Sequence, residues 1–205
     1  MAAFLRNPKF WVFCICLLPL ARLVVLGTTG GLGANPIEFI TRSTGTWTLA
    51  GLMATLSVTP LRRLSGRADL IRYRRMLGLF AFFYASLHFV TYIWLDQFLD
   101  PAAIAKDIVK RPFITVGFTA FVLLIPLAAT STHAMMRRLG RRWQQLHRLV
   151  YLIALLGVIH YLWLVKKDIT EPLIYGSVLV VLLAMRLTWG ARLLQAARNR
   201  LVPTR

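Results

Sequence analysis

Six long apolar segments, separated by shorter polar stretches, dominate the pattern of this chain. Each is long enough, or nearly so, to cross ~30 Å of hydrocarbon as a helix. The second is the shortest and carries Pro60 near its end. The pattern predicts an all-α membrane protein: a single domain over residues 1–205, built as a bundle of six transmembrane helices. The predicted spans are residues 10–27, 45–61, 76–95, 113–130, 147–165 and 172–189.

Composition strengthens the membrane prediction and removes a competing one. Hydrophobic residues make up 58% of the chain, and the mean hydropathy is +0.63. A net charge of +18 would fit a nucleic-acid partner, but the basic residues flank the apolar segments instead of forming a polar face. We therefore expect contact with membrane lipids and no nucleic-acid partner.

The charges between the segments predict an orientation. Eighteen of the twenty-five basic residues lie at one set of segment ends and their connections, at residues 6–9, 62–75, 137–148 and 186–205. Only one of the seven acidic residues, Asp69, lies in those regions. Because cytoplasmic loops are enriched in Lys and Arg, both termini are expected in the cytoplasm. The loops at 28–44, 96–112 and 166–171 are then outside, and none is long enough for a soluble catalytic domain.

Two histidines fall at matching depths in this topology. His88 and His160 each lie about a dozen residues beyond the basic cytoplasmic end of their segment, or ~20 Å inward at 1.5 Å per residue. Ionisable side chains inside membrane helices indicate functional sites. Two histidines at one level can bind a b-type haem axially. The alternative is that each is a hydrogen-bonded structural residue.

Two further residues, Arg22 and His147, are candidates for haem binding. Arg22 lies at the same predicted depth as the histidine pair, where a haem propionate would be its anion; the alternative is that it reaches the outer headgroups. His147 lies at the cytoplasmic end of the fifth segment, off the face of His160. It would serve a second, inner haem with an unusual or missing partner ligand.

Several motifs resemble the MsrQ (YedZ) family, which provides the haem-bearing membrane subunits of bacterial periplasmic methionine sulfoxide reductase systems. A more distant resemblance is to the transmembrane domain of ferric reductases and NADPH oxidases. The motifs cover nearly every loop and both histidine segments. They are GGLGANPIE (30–38), TRSTGTW (41–47), SVTPLRR (57–63), RRMLGLFAFFYASLHFVTY (74–92), TSTHAMMRRLGRRWQQLHRLVYL (130–152) and IHYLW (159–163).

The resemblance implies a multi-pass protein of the bacterial inner membrane that binds b-type haem and FMN. It implies electrons from the quinone pool or a cytosolic flavin reductase, delivered to MsrP, a periplasmic molybdopterin-containing catalytic subunit. His88, His147 and His160 fall on the family's histidines, whereas His133 does not. An arginine replaces the inner histidine that the oxidases carry on their third helix, so the number of haems stays open. No motif for FMN maps onto particular residues.

Three function classes remain at this point. The leading hypothesis is an electron-transfer subunit without substrate chemistry of its own, in which the cofactor carries the redox chemistry. The second is a self-contained small ferric reductase or oxidase that uses an outside electron donor. The third is a haem-free transporter or assembly factor, in which the histidines are structural.

Overall fold

The computed structural model describes residues 7–165 and 167–201, with side chains described as far as residue 188. Within those ranges the chain is helical, with no strand. The helices are α1 (Pro8–Thr29), α2 (Pro36–Ser65), a 3₁₀ helix (Ala68–Tyr73), α3 (Arg74–Thr91), a π-helical turn (Tyr92–Asp96), α4 (Pro101–Lys110), α5 (Pro112–Ala129), α6 (His133–Leu139), α7 (Arg141–His147), α8 (Leu149–Leu164) and α9 (Thr170–Leu201).

Five helical stretches of the described chain are long and apolar enough to cross a membrane, so the membrane prediction holds. They are Pro8–Thr29, Ala68–Asp96, Pro112–Ala129, Arg141–Leu164 and Thr170–Thr188. The second predicted span, 45–61, falls within α2, which is not among the five. The six-span count and the orientation therefore stay predictions. The two chain ends, at 1–6 and 202–205, lie outside the described residues.

Helix α2 is the central helix of the bundle, and this explains its more polar composition. It runs for 30 residues and packs along α3, α8 and α9. Eight of its residues are buried, including Thr44 and Thr55. Leu56 is fully buried and packs in the core with Ile153 and Ala154 of α8. Because protein rather than lipid surrounds much of α2, hydroxyl side chains are tolerated along it.

The start of α2 differs from the predicted boundary at residue 45. Pro36 occupies the first turn, and the Asn35 side chain accepts a hydrogen bond from the Glu38 N–H at 3.3 Å. A capping side chain followed by proline is a strong helix-start signal, but hydropathy does not detect it. The predicted fifth span, 147–165, also differs from the structure. It covers parts of two helices, because α7 ends at His147 and α8 begins at Leu149.

At two prolines inside helices, a side chain from another helix forms hydrogen bonds to nearby backbone groups. Near Pro19, the Tyr84 hydroxyl accepts from Leu20 N–H at 3.3 Å and donates to the Cys16 carbonyl at 2.7 Å, a pair that an unbroken helix would link directly. Pro60 has no N–H for the Leu56 carbonyl. That carbonyl accepts instead from Nη2 of Arg186 at 2.7 Å. The first arrangement joins α1 to α3, and the second joins α2 to α9.

Candidate cofactor site between two histidines

A cavity of ≈ 560 Å³ lies between α2, α3, α5 and α8. This volume falls within the roughly 300–1,000 Å³ typical of cofactor and small-molecule sites. Its deep part is apolar, with Leu52, Leu124 and Ile153 among the lining residues. Charged side chains, including Arg42 and Arg111, line the end towards the predicted outer loops. The cavity therefore suits a flat ligand with one apolar and one charged edge.

The imidazoles of His88 and His160 face each other across this cavity. Their ring centroids lie 6.1 Å apart, and their planes are inclined by 77°. With a nitrogen–metal bond of about 2.0 Å on each side, two imidazoles that share one metal have centroids roughly 6 Å apart. The structure thus brings together the two histidines that the sequence placed at one depth, at a spacing that fits one shared metal.

Both rings are oriented in the same way by a neighbouring helix. His88 Nδ1 lies 2.9 Å from the carbonyl oxygen of Thr41 on α2, and His160 Nδ1 lies 2.7 Å from that of Phe113 on α5. A carbonyl only accepts, so each Nδ1 carries the proton and donates. Each Nε2 then keeps its lone pair for a metal. Metal-binding histidines are commonly fixed in this manner.

The charged end of the cavity, which we call its mouth, holds two ion pairs. Arg42 bonds Glu38 at 2.7 Å on α2, and Arg111 bonds Asp107 at 2.8 Å across the junction of α4 and α5. Tyr92 donates to the same Asp107 at 3.0 Å. Both arginine side chains are more than half exposed, so they remain accessible to an anionic group on a ligand.

Arg22 lies elsewhere. It is exposed on α1, with its guanidinium 5.8 Å from the centroid of the Phe39 ring, and it does not line the cavity. Depth in the membrane does not specify which face of α1 carries Arg22. The arginines that line the cavity are Arg42 and Arg111.

His147 also lies outside the cavity lining. Its Nδ1 lies 3.0 Å from the Trp143 carbonyl, and its Nε2 lies 3.2 Å from the Leu127 carbonyl near the end of α5. Its ring stacks on Trp143 at 3.8 Å between centroids, and Trp143 Nε1 donates to the Thr130 carbonyl at 2.9 Å. Together these rings cap the carbonyl end of α5, where backbone acceptors lack helical partners. His133 is exposed at the start of α6.

Comparison with known proteins identifies the family. The chain is 60% identical over 194 residues to "Protein-methionine-sulfoxide reductase heme-binding subunit MsrQ" of Ralstonia nicotianae, covering 92% of this chain and 89% of the relative. The chain belongs to the MsrQ family. The identically described protein of Herminiimonas arsenicoxydans is 60% identical over 185 residues, covering 89% of this chain and 85% of that one.

Other members and a broader family model agree. The MsrQ protein of Bordetella pertussis is 56% identical over 189 residues, covering 91% of this chain and 92% of the relative. Residues 44–158 match the family model described as "Ferric reductase like transmembrane component". That match contains α3 with His88, and α8 as far as Val158, but it stops before His160. No solved structure matches this chain.

Proposed function

We propose that this chain binds one b-type haem between His88 and His160 and acts as the electron-transfer subunit of a methionine sulfoxide reductase system. The observation that carries the proposal is the facing pair of imidazoles, 6.1 Å apart, each with Nδ1 bound to a helix carbonyl. The relatives' printed names, which describe a haem-binding subunit, support it.

The donor set fits an iron macrocycle better than a bare ion. Among the described residues, no group of three or more His, Cys, Asp or Glu side chains is placed to hold a metal ion. Two imidazoles alone are too few for a tetrahedral zinc site, but they suit an iron whose other four positions a macrocycle fills. The only cysteines are Cys14 and Cys16, so the Cys-x-x-Cys-His motif for covalent haem attachment is absent.

The lining of the cavity also fits a haem. Thr41, whose carbonyl holds His88, also has a buried Oγ1 without a hydrogen-bond partner among the described residues. A buried hydroxyl without a partner costs free energy, and a polar ligand edge would satisfy it. The apolar floor would hold the macrocycle, while Arg42 and Arg111 at the mouth would bind its propionates.

In this function the haem supplies reversible one-electron chemistry, and the protein fixes its position and surroundings. We propose six transmembrane helices in the bacterial inner membrane, with both termini cytoplasmic. Electrons would come from the quinone pool or a cytosolic flavin reductase and pass to the periplasmic molybdoenzyme MsrP. FMN is proposed from family resemblance alone. A second haem at His147 would require that ring to leave the carbonyls of Trp143 or Leu127.

The match to ferric reductase-like proteins favours a second candidate function. In it, the chain would itself reduce Fe³⁺ chelates or oxygen at the outer mouth of the cavity. The two functions separate in a purified system with chemically reduced protein. Re-oxidation that requires MsrP supports the subunit function, whereas equally fast re-oxidation by Fe³⁺ citrate or oxygen alone supports the reductase function.

The direct test of haem binding is the visible spectrum of the purified protein. The wild type should show the sharp bands of a low-spin haem with two imidazole ligands. His88→Ala and His160→Ala should each lose most of the bound haem, while His133→Ala should keep it. Full haem content and an unshifted spectrum in both cavity variants would refute the proposal.

A further inference from the structure

Each cavity histidine lies against a glycine of the neighbouring helix. A Cβ placed on Gly117 of α5 would be 2.7 Å from His160 Nδ1 and 2.8 Å from its Cε1. A Cβ on Gly45 of α2 would be 3.1 Å from His88 Cε1 and 3.2 Å from its Nδ1. The first contact is shorter than real Cβ atoms make, and the second is unusually tight. Any other residue at Gly117 would displace the ring.

These glycines stand in a fixed relationship to the carbonyls that hold the rings. Thr41 and Gly45 are four residues apart on α2, and Phe113 and Gly117 are four residues apart on α5. Residues at i and i+4 are neighbours on one helix face. In a helix, the carbonyl at i already accepts from the N–H at i+4, so an outside donor must approach beside residue i+4. A missing side chain at i+4 opens that approach.

Among the helical glycines up to residue 188, no other lies against a histidine. A Cβ on Gly51 of α2 would be 3.1 Å from Ala81 of α3, which is a contact between two packed helices. A Cβ on Gly78 of α3 would meet only Thr55, at 3.7 Å from its Cγ2, which is ordinary van der Waals contact. Glycine is a poor helix former compared with alanine, so glycine inside a helix indicates a local requirement. The same carbonyl-glycine-imidazole arrangement occurs twice, on two different helices, and each copy serves one member of the histidine pair.

We propose that Gly45 and Gly117 are positioning residues that set the orientation and the donor strength of the two haem-binding imidazoles. The inference rests on the proposed haem site. In each copy the glycine admits the ring to its helix carbonyl, the Nδ1 proton goes to that carbonyl, and Nε2 is thereby directed into the cavity with its lone pair. Because the rings are attached to two separate helices, their planes are set separately, and they are inclined by 77°.

This arrangement has electronic consequences that a purely structural glycine would not have. A hydrogen bond from Nδ1 makes the imidazole a stronger donor, which stabilises ferric over ferrous iron and lowers the midpoint potential. The angle between axial imidazole planes also controls the anisotropy of the low-spin ferric EPR signal, which is large when the planes are near perpendicular. Displacing either ring from its carbonyl should therefore raise the potential and change the EPR spectrum.

The test compares Gly117→Ala, Gly45→Ala and the control Gly78→Ala in the full-length, haem-loaded protein. Haem content, thermal unfolding, midpoint potential and the EPR spectrum are measured for each. Gly117→Ala should lose most of its low-spin signal, and its remaining haem should have a higher potential. Gly45→Ala, with the milder contact, should keep its haem but show a raised potential and a shifted EPR signal. Gly78→Ala should match the wild type in both electronic measurements.

Two outcomes would overturn the inference. One is a potential and EPR spectrum in Gly117→Ala equal to those of Gly78→Ala. The second is a wild-type midpoint potential and EPR spectrum in Gly45→Ala. This variant decides the test if Gly117→Ala does not accumulate. Failure of the haem proposal is distinguishable, because His88→Ala and His160→Ala would then retain full haem content. If those variants lose haem while the glycine variants match the control, only the positioning inference fails.

Discussion

Nδ1 of His88 and Nδ1 of His160 are each bound to a backbone carbonyl of a different neighbouring helix, at 2.9 and 2.7 Å. The two rings are therefore held independently, although they face each other across one cavity. If they bind one iron, losing either breaks the same site.

This makes the His88→Ala and His160→Ala effects non-additive. Each single variant should lose most of the haem, and the double variant should lose little more, since residues acting on one site couple strongly. Haem is quantified per protein after purification. Added imidazole should restore part of the low-spin spectrum in either single variant, because it can replace the missing ligand. Independent, additive losses would show that the two residues do not share an iron.

Arg42 and Arg111, at the mouth of the cavity, should raise the midpoint potential of the proposed haem. A positive charge near the iron favours the ferrous state, since reduction adds an electron. Arg42→Gln and Arg111→Gln should therefore lower the midpoint potential, with a larger shift at low salt. Arg22→Gln is the matched control, because Arg22 does not line the cavity. A potential shift in Arg22→Gln alone would restore Arg22 as the propionate partner.

His147→Ala should lower the stability of the protein more than it affects the haem proposed between His88 and His160. The variant loses the bond to the Leu127 carbonyl and the stacking on Trp143. Because that carbonyl still accepts from Ser131 Oγ at 2.7 Å, we expect a cost of about 0.5–1.5 kcal/mol, the net contribution of one hydrogen bond. The measurement is thermal unfolding in detergent, alongside haem content. His133→Ala, at an exposed position, is the control. Loss of a distinct part of the haem spectrum in His147→Ala would instead indicate a second haem at this residue.

The hydrogen bond from Arg186 to the Leu56 carbonyl, which Pro60 leaves without a helical donor, can be tested by substitution. Arg186→Met removes the donor to the Leu56 carbonyl and the 2.6 Å bond to the Tyr151 hydroxyl. The expected destabilisation is about 1–3 kcal/mol, measured by thermal unfolding. Pro60→Ala restores an N–H for the Leu56 carbonyl, so it should recover part of the loss in the double variant. No recovery would mean that Arg186 stabilises the protein mainly through Tyr151.

Topology is tested by reporter fusions. With both termini cytoplasmic, a fusion after Arg205 should be active only with a cytoplasmic reporter, and fusions in the 28–44 and 96–112 loops only with a periplasmic one. Both α2 and α3 lie between these two loops, and α2 is not among the five apolar spans. A 28–44 loop in the cytoplasm together with a periplasmic 96–112 loop would show that α2 does not cross the membrane, since only one of α2 and α3 would then cross.

The sequence by itself determined the helical membrane architecture and the candidate histidine pair. Long apolar segments can satisfy their backbone groups in lipid only as helices. Counting residues from a charged boundary also gives depth, because the rise per residue of a helix is constant. His88 and His160 were therefore found from length and charge alone.

Only the tertiary structure decided which neighbour each side chain meets. Depth does not fix rotation about the helix axis, so it did not show that Arg22 lies away from the cavity or that His147 caps α5. The carbonyls of Thr41 and Phe113 carry no side-chain signal. The same holds for the carbonyl freed by Pro60, whose partner Arg186 is far along the chain. Such contacts depend on which helices pack together, and hydrophobicity along one chain does not specify that.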